Sequence, residues 1–219
     1  MQWLIKKEPT KVDFKELHNL CFISKKEIYN STYQEKGKTK HLLDKFSSRL
    51  GEIDEMPFIG YVGTNYSNHS TQIVFVSRAE IDSTNEDDEL YTNLYESFMQ
   101  FKNSASNLES AYRQYADSYK EHILNSSCSS YLNHFFKETD LTIDDVAFVN
   151  AVPFKCLDNP SKKLYKPSIK DFTSRFFNIV QADWIQPFGL NDIQRISFES
   201  NYVPYQINSG LSITNNAVS

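Results

Sequence analysis

Two compact apolar runs stand out along the chain, Thr71-Gln-Ile-Val-Phe-Val76 and Val146-Ala-Phe-Val149, each bounded by polar residues. Runs rich in β-branched and aromatic residues, without polar alternation, suit strands covered on both faces, where each side of the pleat meets protein rather than water. Residues 184–188, ending at Gly189, read as a third short strand, and residues 202–207 as a fourth. Between the strands the period changes. Leu94, Phe98 and Phe101, and then Ala111, Tyr115 and Tyr119, fall at helical spacing within residues 90–136, a stretch free of Gly and Pro, which predicts a helical insertion or cap. Phe172, Phe176 and Val180 recur at i, i+4 and i+8 and predict a helix over residues 169–180, preceded by a Pro-, Ser- and Lys-rich loop at 158–168.

Nearer the N-terminus the pattern is weaker. Phe14, Leu17, Leu20 and Cys21 suit a short amphipathic helix, and Leu42, Leu43, Phe46 and Leu50 a second, with residues 35–40 as a solvated connector. Gly60, Gly63, Asn65, Asn68 and Ser70 mark a turn-rich loop, and residues 83–89 an acidic one. Strands alternating with helices favour a mostly parallel sheet. The expected architecture is therefore a three-layer α/β/α domain with a mostly parallel four-stranded sheet plus the helical insertion, spanning residues 1–219 as one unit. Sites in such sheets form beyond the carboxyl ends of the strands. That directs attention to residues 77–83, 150–156, 189–191 and 208–212.

Composition narrows the class. The chain has 219 residues, 40% hydrophobic and 23% charged, which suits one globular domain rather than a disordered segment. A net charge of −5 supplies no global positive field for gripping nucleic acid. Locally, however, Lys155, Lys162, Lys163, Lys166, Lys170 and Arg175 cluster, with Tyr165 among them; this is either a phosphate-contacting patch or a solvated basic face. The three cysteines, Cys21, Cys128 and Cys156, are widely spaced and have no metal-ligand spacing. No metal, cofactor or disulfide is expected from them, and a reducing, cytoplasmic setting fits. The N-terminus lacks the apolar run of a signal peptide and nowhere do about 18 apolar residues run together, so no membrane association is expected.

The segment Val146-Ala-Phe-Val-Asn-Ala-Val-Pro-Phe-Lys155 resembles the second sheet strand and following loop of the uracil-DNA glycosylase superfamily. Asp171-Phe-Thr-Ser-Arg-Phe-Phe177 and Ala182-Asp-Trp-Ile-Gln-Pro-Phe-Gly189 then agree in order and spacing. Ser77-Arg-Ala-Glu-Ile-Asp82 falls where that family has its water-activating loop, and Asn208-Ser-Gly-Leu-Ser212 where it carries a His-Pro-Ser loop with a Leu wedge. The resemblance covers residues 71–212 with the helical insert at 90–136 allowed between its segments. It implies a DNA glycosylase-like protein that hydrolyses the N-glycosidic bond of uracil or another modified base, with single- or double-stranded DNA as its partner.

On this reading Asn150, with Ala151 and Gly189, would bind the base, because an amide offers one acceptor and two donors to a pyrimidine edge. Glu80 or Asp82 would orient water, Asn208 or backbone amides would stabilise the leaving base, and Leu211 would fill the gap left by a flipped base. Lys155, Lys162, Lys163 and Lys170 would contact phosphates. Two departures matter: Ala79 stands where the family places an aspartate, and Asn208 where it places a histidine, all five histidines lying at or before His134. They leave open an alternative, a catalytically inactive relative that keeps the fold as a DNA-, nucleotide- or protein-binding module. The plain readings of the same residues are a turn-capping Asn150, a solvated acidic loop at Glu80 and Asp82, and an incidental surface Leu211. Cys156 follows the strand much as a cluster ligand does in the iron–sulphur branch of the family, but four thiolates are needed and three cysteines are present.

Overall fold

A computed structural model describes residues 11–46, 55–80 and 89–187 and the backbone of 206–207. The chain is a mixed α/β fold built on a five-stranded, mostly parallel sheet. Its strands are β3 (Tyr61–Val62), β4 (Ile73–Ser77), β5 (Ala147–Asn150), β6 (Trp184–Pro187) and β7 (Gln206–Ile207), in the order β3-β5-β4-β6-β7. A separate antiparallel hairpin joins β1 (Thr32–Glu35) to β2 (Lys38–His41).

The two apolar runs become the sheet's centre. β4 and β5 pair in parallel from Val74↔Ala147 to Ser77↔Asn150, and β4 pairs in parallel with β6 on its other side. Val74, Phe75, Val76, Ala147 and Val149 are fully buried, as strands flanked on both edges and covered on both faces must be. The connection from β4 to β5 carries α3 (Glu89–Lys102), α4 (Leu108–Asn125) and α5 (Ser129–Glu138), the helices expected over residues 90–136. α3 and α4 pack closely on each other through Leu94, Phe98, Phe101, Tyr112, Tyr115 and Tyr119, all buried, and α4 also touches β3. Burying rings of this size contributes roughly 1.5–3 kcal/mol each. At the N-terminus α1 (Phe14–Leu20) forms as expected, its first amides capped by the Asp13 carboxylate, and packs on α4; a single-turn helix, α2 (Lys25–Ile28), follows.

Four local expectations need correction. The connector at 35–40 is the β1–β2 hairpin: Lys36 (φ 52°) and Gly37 (φ 74°) supply the positive-φ pair that a two-residue turn requires. Its strands are largely exposed, so no apolar run announced them. Where a second helix is expected, Leu42–Lys45 form a single 3₁₀ turn that ends at Phe46, whose backbone is extended (ψ 145°); Leu50 lies outside the described residues. The loop containing Gly60 and Gly63 holds β3, antiparallel to β5. Both glycines permit close approach there, since a Cβ on Gly60 (φ 90°) would strike the Phe176 ring and one on Gly63 the Asp144 carbonyl.

Finally, the loop at 158–168 is helical from Lys162. α6 (Lys162–Ser168) contains Pro167, which donates no N–H to the helix ladder, and the backbone widens into a π-type turn over Ile169–Thr173 before α7 (Ser174–Val180) resumes. Phe172, Phe176 and Val180 are fully buried, as their spacing predicts.

Candidate functional site at the carboxyl edge of the sheet

The parallel register of β4 and β5 sets Ser77 beside Asn150 at the carboxyl edge. Ser77 Oγ donates a hydrogen bond to Asn150 Oδ1. Asn150 is only 2% exposed, and its Nδ2 has no hydrogen-bond partner among the described residues. An unmatched buried donor costs about 1–3 kcal/mol, so a group kept in that state calls for an explanation, whether water or ligand.

Past the strands the two loops stay zipped together. The amides of Ala151, Val152 and Cys156 donate to the carbonyls of Ser77, Arg78 and Glu80, each at 2.8 Å. From the following helical segment, Thr173 Oγ1 reaches the Ala151 carbonyl at 3.3 Å. Arg78 Nη1 donates to Asn159 Oδ1 at 2.8 Å. Glu80 is therefore fixed by its backbone against the 151–156 loop, with its side chain 23% exposed.

The Glu80 carboxylate meets a histidine. His122 Nε2 of α4 lies 3.0 Å from Glu80 Oε2, ion-pair distance without the alignment of a full hydrogen bond. The His122 side chain is 8% exposed. Its ring sits among three others, with centroids 6.1 Å from Phe58, 6.0 Å from Tyr91 and 6.2 Å from Tyr119. Phe58 is anchored to the site loop by its amide, which donates to the Pro153 carbonyl at 2.7 Å. Lys155, itself buried, places Nζ 4.0 Å over the Tyr91 ring. Burial raises the Tyr119 phenol well above its ordinary value, and the neighbouring Glu80 charge raises it further, so this residue stays a neutral hydroxyl. Burial likewise pushes the Cys156 thiol up to about 12 against the opposing pull of Lys25, which removes it as a nucleophile at neutral pH.

The edge thus gathers Asn150, Ala151 and Glu80 from the expected set. Lys155 belongs to its interior rather than to an outer basic face. Lys162, Lys163 and Lys170 are exposed along α6 and the π-type turn, with Lys163 Nζ 3.5 Å over the Tyr33 ring of the hairpin. Asp82, Gly189, Asn208 and Leu211 lie outside the described residues. Sequence reasoning placed Ser77 in the 77–83 loop but gave it no role, and it missed Tyr91 and His122. The signal for His122 was available: it continues the buried Tyr115–Tyr119 stripe of α4 at i+7 and i+3, and a titratable group on an apolar stripe needs a partner. Among the described residues no group of three or more His, Cys, Asp or Glu is placed to hold a metal ion, and no helix is long and apolar enough to cross a membrane.

No protein-family model matches this sequence, and comparison with curated proteins finds no match.

Proposed function

We propose that this chain is a nucleobase-binding protein of the uracil-DNA glycosylase type that hydrolyses the N-glycosidic bond of uracil or another modified base in DNA. The observation that carries this reading is the Ser77↔Asn150 register, which holds a buried amide, its N–H₂ unpaired among the described residues, at the carboxyl edge of a mostly parallel sheet. Ser77 occupies Asn150 Oδ1, which fixes the amide plane and leaves both N–H groups available to a carbonyl on a base edge. Glu80, part exposed on the adjoining loop, is the group suited to orient water towards the sugar C1′ as the base departs with the bonding pair. Exposed Lys162 and Lys170 would contact phosphates of the same strand. This reading carries a three-layer arrangement with residues 90–136 as an insertion, a cytoplasmic setting and no cofactor.

One observation favours a second reading. Because Asn150 is 2% exposed, a base reaches it only if the edge opens; a relative whose edge stays closed would be a DNA-, nucleotide- or protein-binding module without excision. A fluorescent single-stranded oligonucleotide carrying one uracil, incubated with the protein and then with alkali, separates the two. Strand scission, abolished in Asn150→Ala, supports the enzyme. Absence of scission across uracil and several modified bases refutes it, and binding that weakens steeply with salt then identifies the module.

A further inference from the structure

We propose that His122 is the positioning residue of Glu80, so that α4, which lies outside every segment carrying the family resemblance, completes the hydrolytic site. This inference rests on the glycosidic-bond reading above and names the group through which its water-activating carboxylate is controlled.

Three observations carry it. Nε2 of His122 and Oε2 of Glu80 are 3.0 Å apart. Exposure is graded across the pair, the carboxylate at 23% and the imidazole at 8%, so Glu80 faces outward while His122 stands behind it. Finally, His122 is walled by Phe58, Tyr91 and Tyr119, rigid rings that fix its plane. Lys155, with Nζ over the Tyr91 ring, is a further charged group beside this cluster. A glutamate has three side-chain torsions, and a neighbour at ion-pair distance from one carboxylate oxygen narrows that freedom while the other oxygen stays available to a water.

The step balances as follows. One water proton passes to Glu80, and the water oxygen bonds to C1′. The C1′–N bond breaks with its electron pair leaving on the base. The base takes a proton from solvent, and Glu80 returns its own to solvent. His122 forms and breaks no bond; it holds Glu80 in place.

The test uses the full chain, with single-turnover excision from the uracil oligonucleotide and its affinity measured by anisotropy. His122→Phe retains an aromatic filling of the cage but removes the contact. The expected result is a rate about 100-fold lower, with affinity within about twofold of wild type and an unchanged thermal midpoint. Glu80→Gln should lose at least as much. The Glu80→Gln, His122→Phe double variant should be no slower than Glu80→Gln alone, since a residue acting through Glu80 has nothing left to position. His122→Gln, which restores a donor of similar reach, should recover most of the rate. If His122→Phe does not fold, His122→Asn, too short to reach Glu80, takes its place.

An active wild type whose His122→Phe and His122→Asn variants excise within threefold of it overturns this inference and leaves the glycosylase reading standing. So does a double variant far slower than Glu80→Gln. A wild type inactive on every base tested overturns both.

Discussion

If the unpaired Nδ2 of Asn150 is kept for a ligand, removing the whole amide should cost the fold unusually little. Asn150→Ala deletes the hydrogen bond from Ser77, worth about 1 kcal/mol net, and frees a hydroxyl that can rotate to another acceptor, as a carboxamide oxygen fixed in the core cannot. It also opens a cavity of roughly 30 Å³, which at ~24 cal/mol per Å³ costs about 0.7 kcal/mol. Against these losses, the variant no longer buries an unmatched N–H₂, a relief of about 1–3 kcal/mol. Stability should therefore stay within about 1 kcal/mol of wild type, whereas truncating a fully satisfied buried amide typically exposes unmatched partners and costs more. Ser77→Ala should behave differently. It removes the donor and strands Asn150 Oδ1 beside an already unmatched Nδ2, for a loss of about 1–3 kcal/mol. Urea unfolding followed by tryptophan fluorescence reads both from the midpoint at constant slope. The ordering Ser77→Ala worse than Asn150→Ala is the signature. A loss above about 3 kcal/mol for Asn150→Ala would show that the amide is knitted into the core, and the base-recognition role would fall with it.

Other expectations follow from the same geometry. Gly60→Ala forces a Cβ into Phe176 at φ 90° and should destabilise by more than about 2 kcal/mol, seen as a lowered urea midpoint. Burial works to raise the Asp145 carboxyl, but hydrogen bonds from Thr142 and His69 prevail and lower it to about 2. A carboxyl depressed in the folded state adds stability above its unfolded value, near 4, that is lost as pH falls towards 2. Asp145→Asn should therefore flatten the acid limb of the stability–pH curve over that window, as followed by thermal melts. If Lys162 and Lys170 contact phosphates, replacing each with Ala should reduce the slope of log affinity against log salt by about one, without altering any preference among bases.

The central strands were legible because nothing competed with their signal. Residues 73–76 and 146–149 are apolar at every position, and only a strand covered on both faces asks for that. The helices at 90–136 were equally plain, since aromatic residues recur at helical spacing without an interrupting Gly or Pro. The β1–β2 hairpin was not, because its side chains are mostly exposed and its pairing rests on two positive-φ residues rather than an apolar pattern. β3 escaped notice for another reason: two residues are too short for any period, and their place is set by what Gly60 and Gly63 allow to approach. Of the site, Asn150 and Glu80 follow strands and so could be placed at an edge. His122 could not, because its meeting with Glu80 depends on how α4 crosses back over the sheet, a separation of 42 residues that no local pattern encodes.

The widened turn after Pro167 sets the phase of everything behind it. One residue more than an α-helical turn would hold rotates the downstream helix by about 100° about its axis. With that offset, Ser168 meets the Tyr29 hydroxyl while Thr173, five positions on, reaches the carbonyls at the tip of β5. Excising a single residue from Ile169–Thr173 would restore an even spiral and swing the phenyl ring of Phe176 off the notch at Gly60. A stretch that reads in the sequence as an imperfect helix is thus a gearing between Tyr29 and the rim where the candidate site lies.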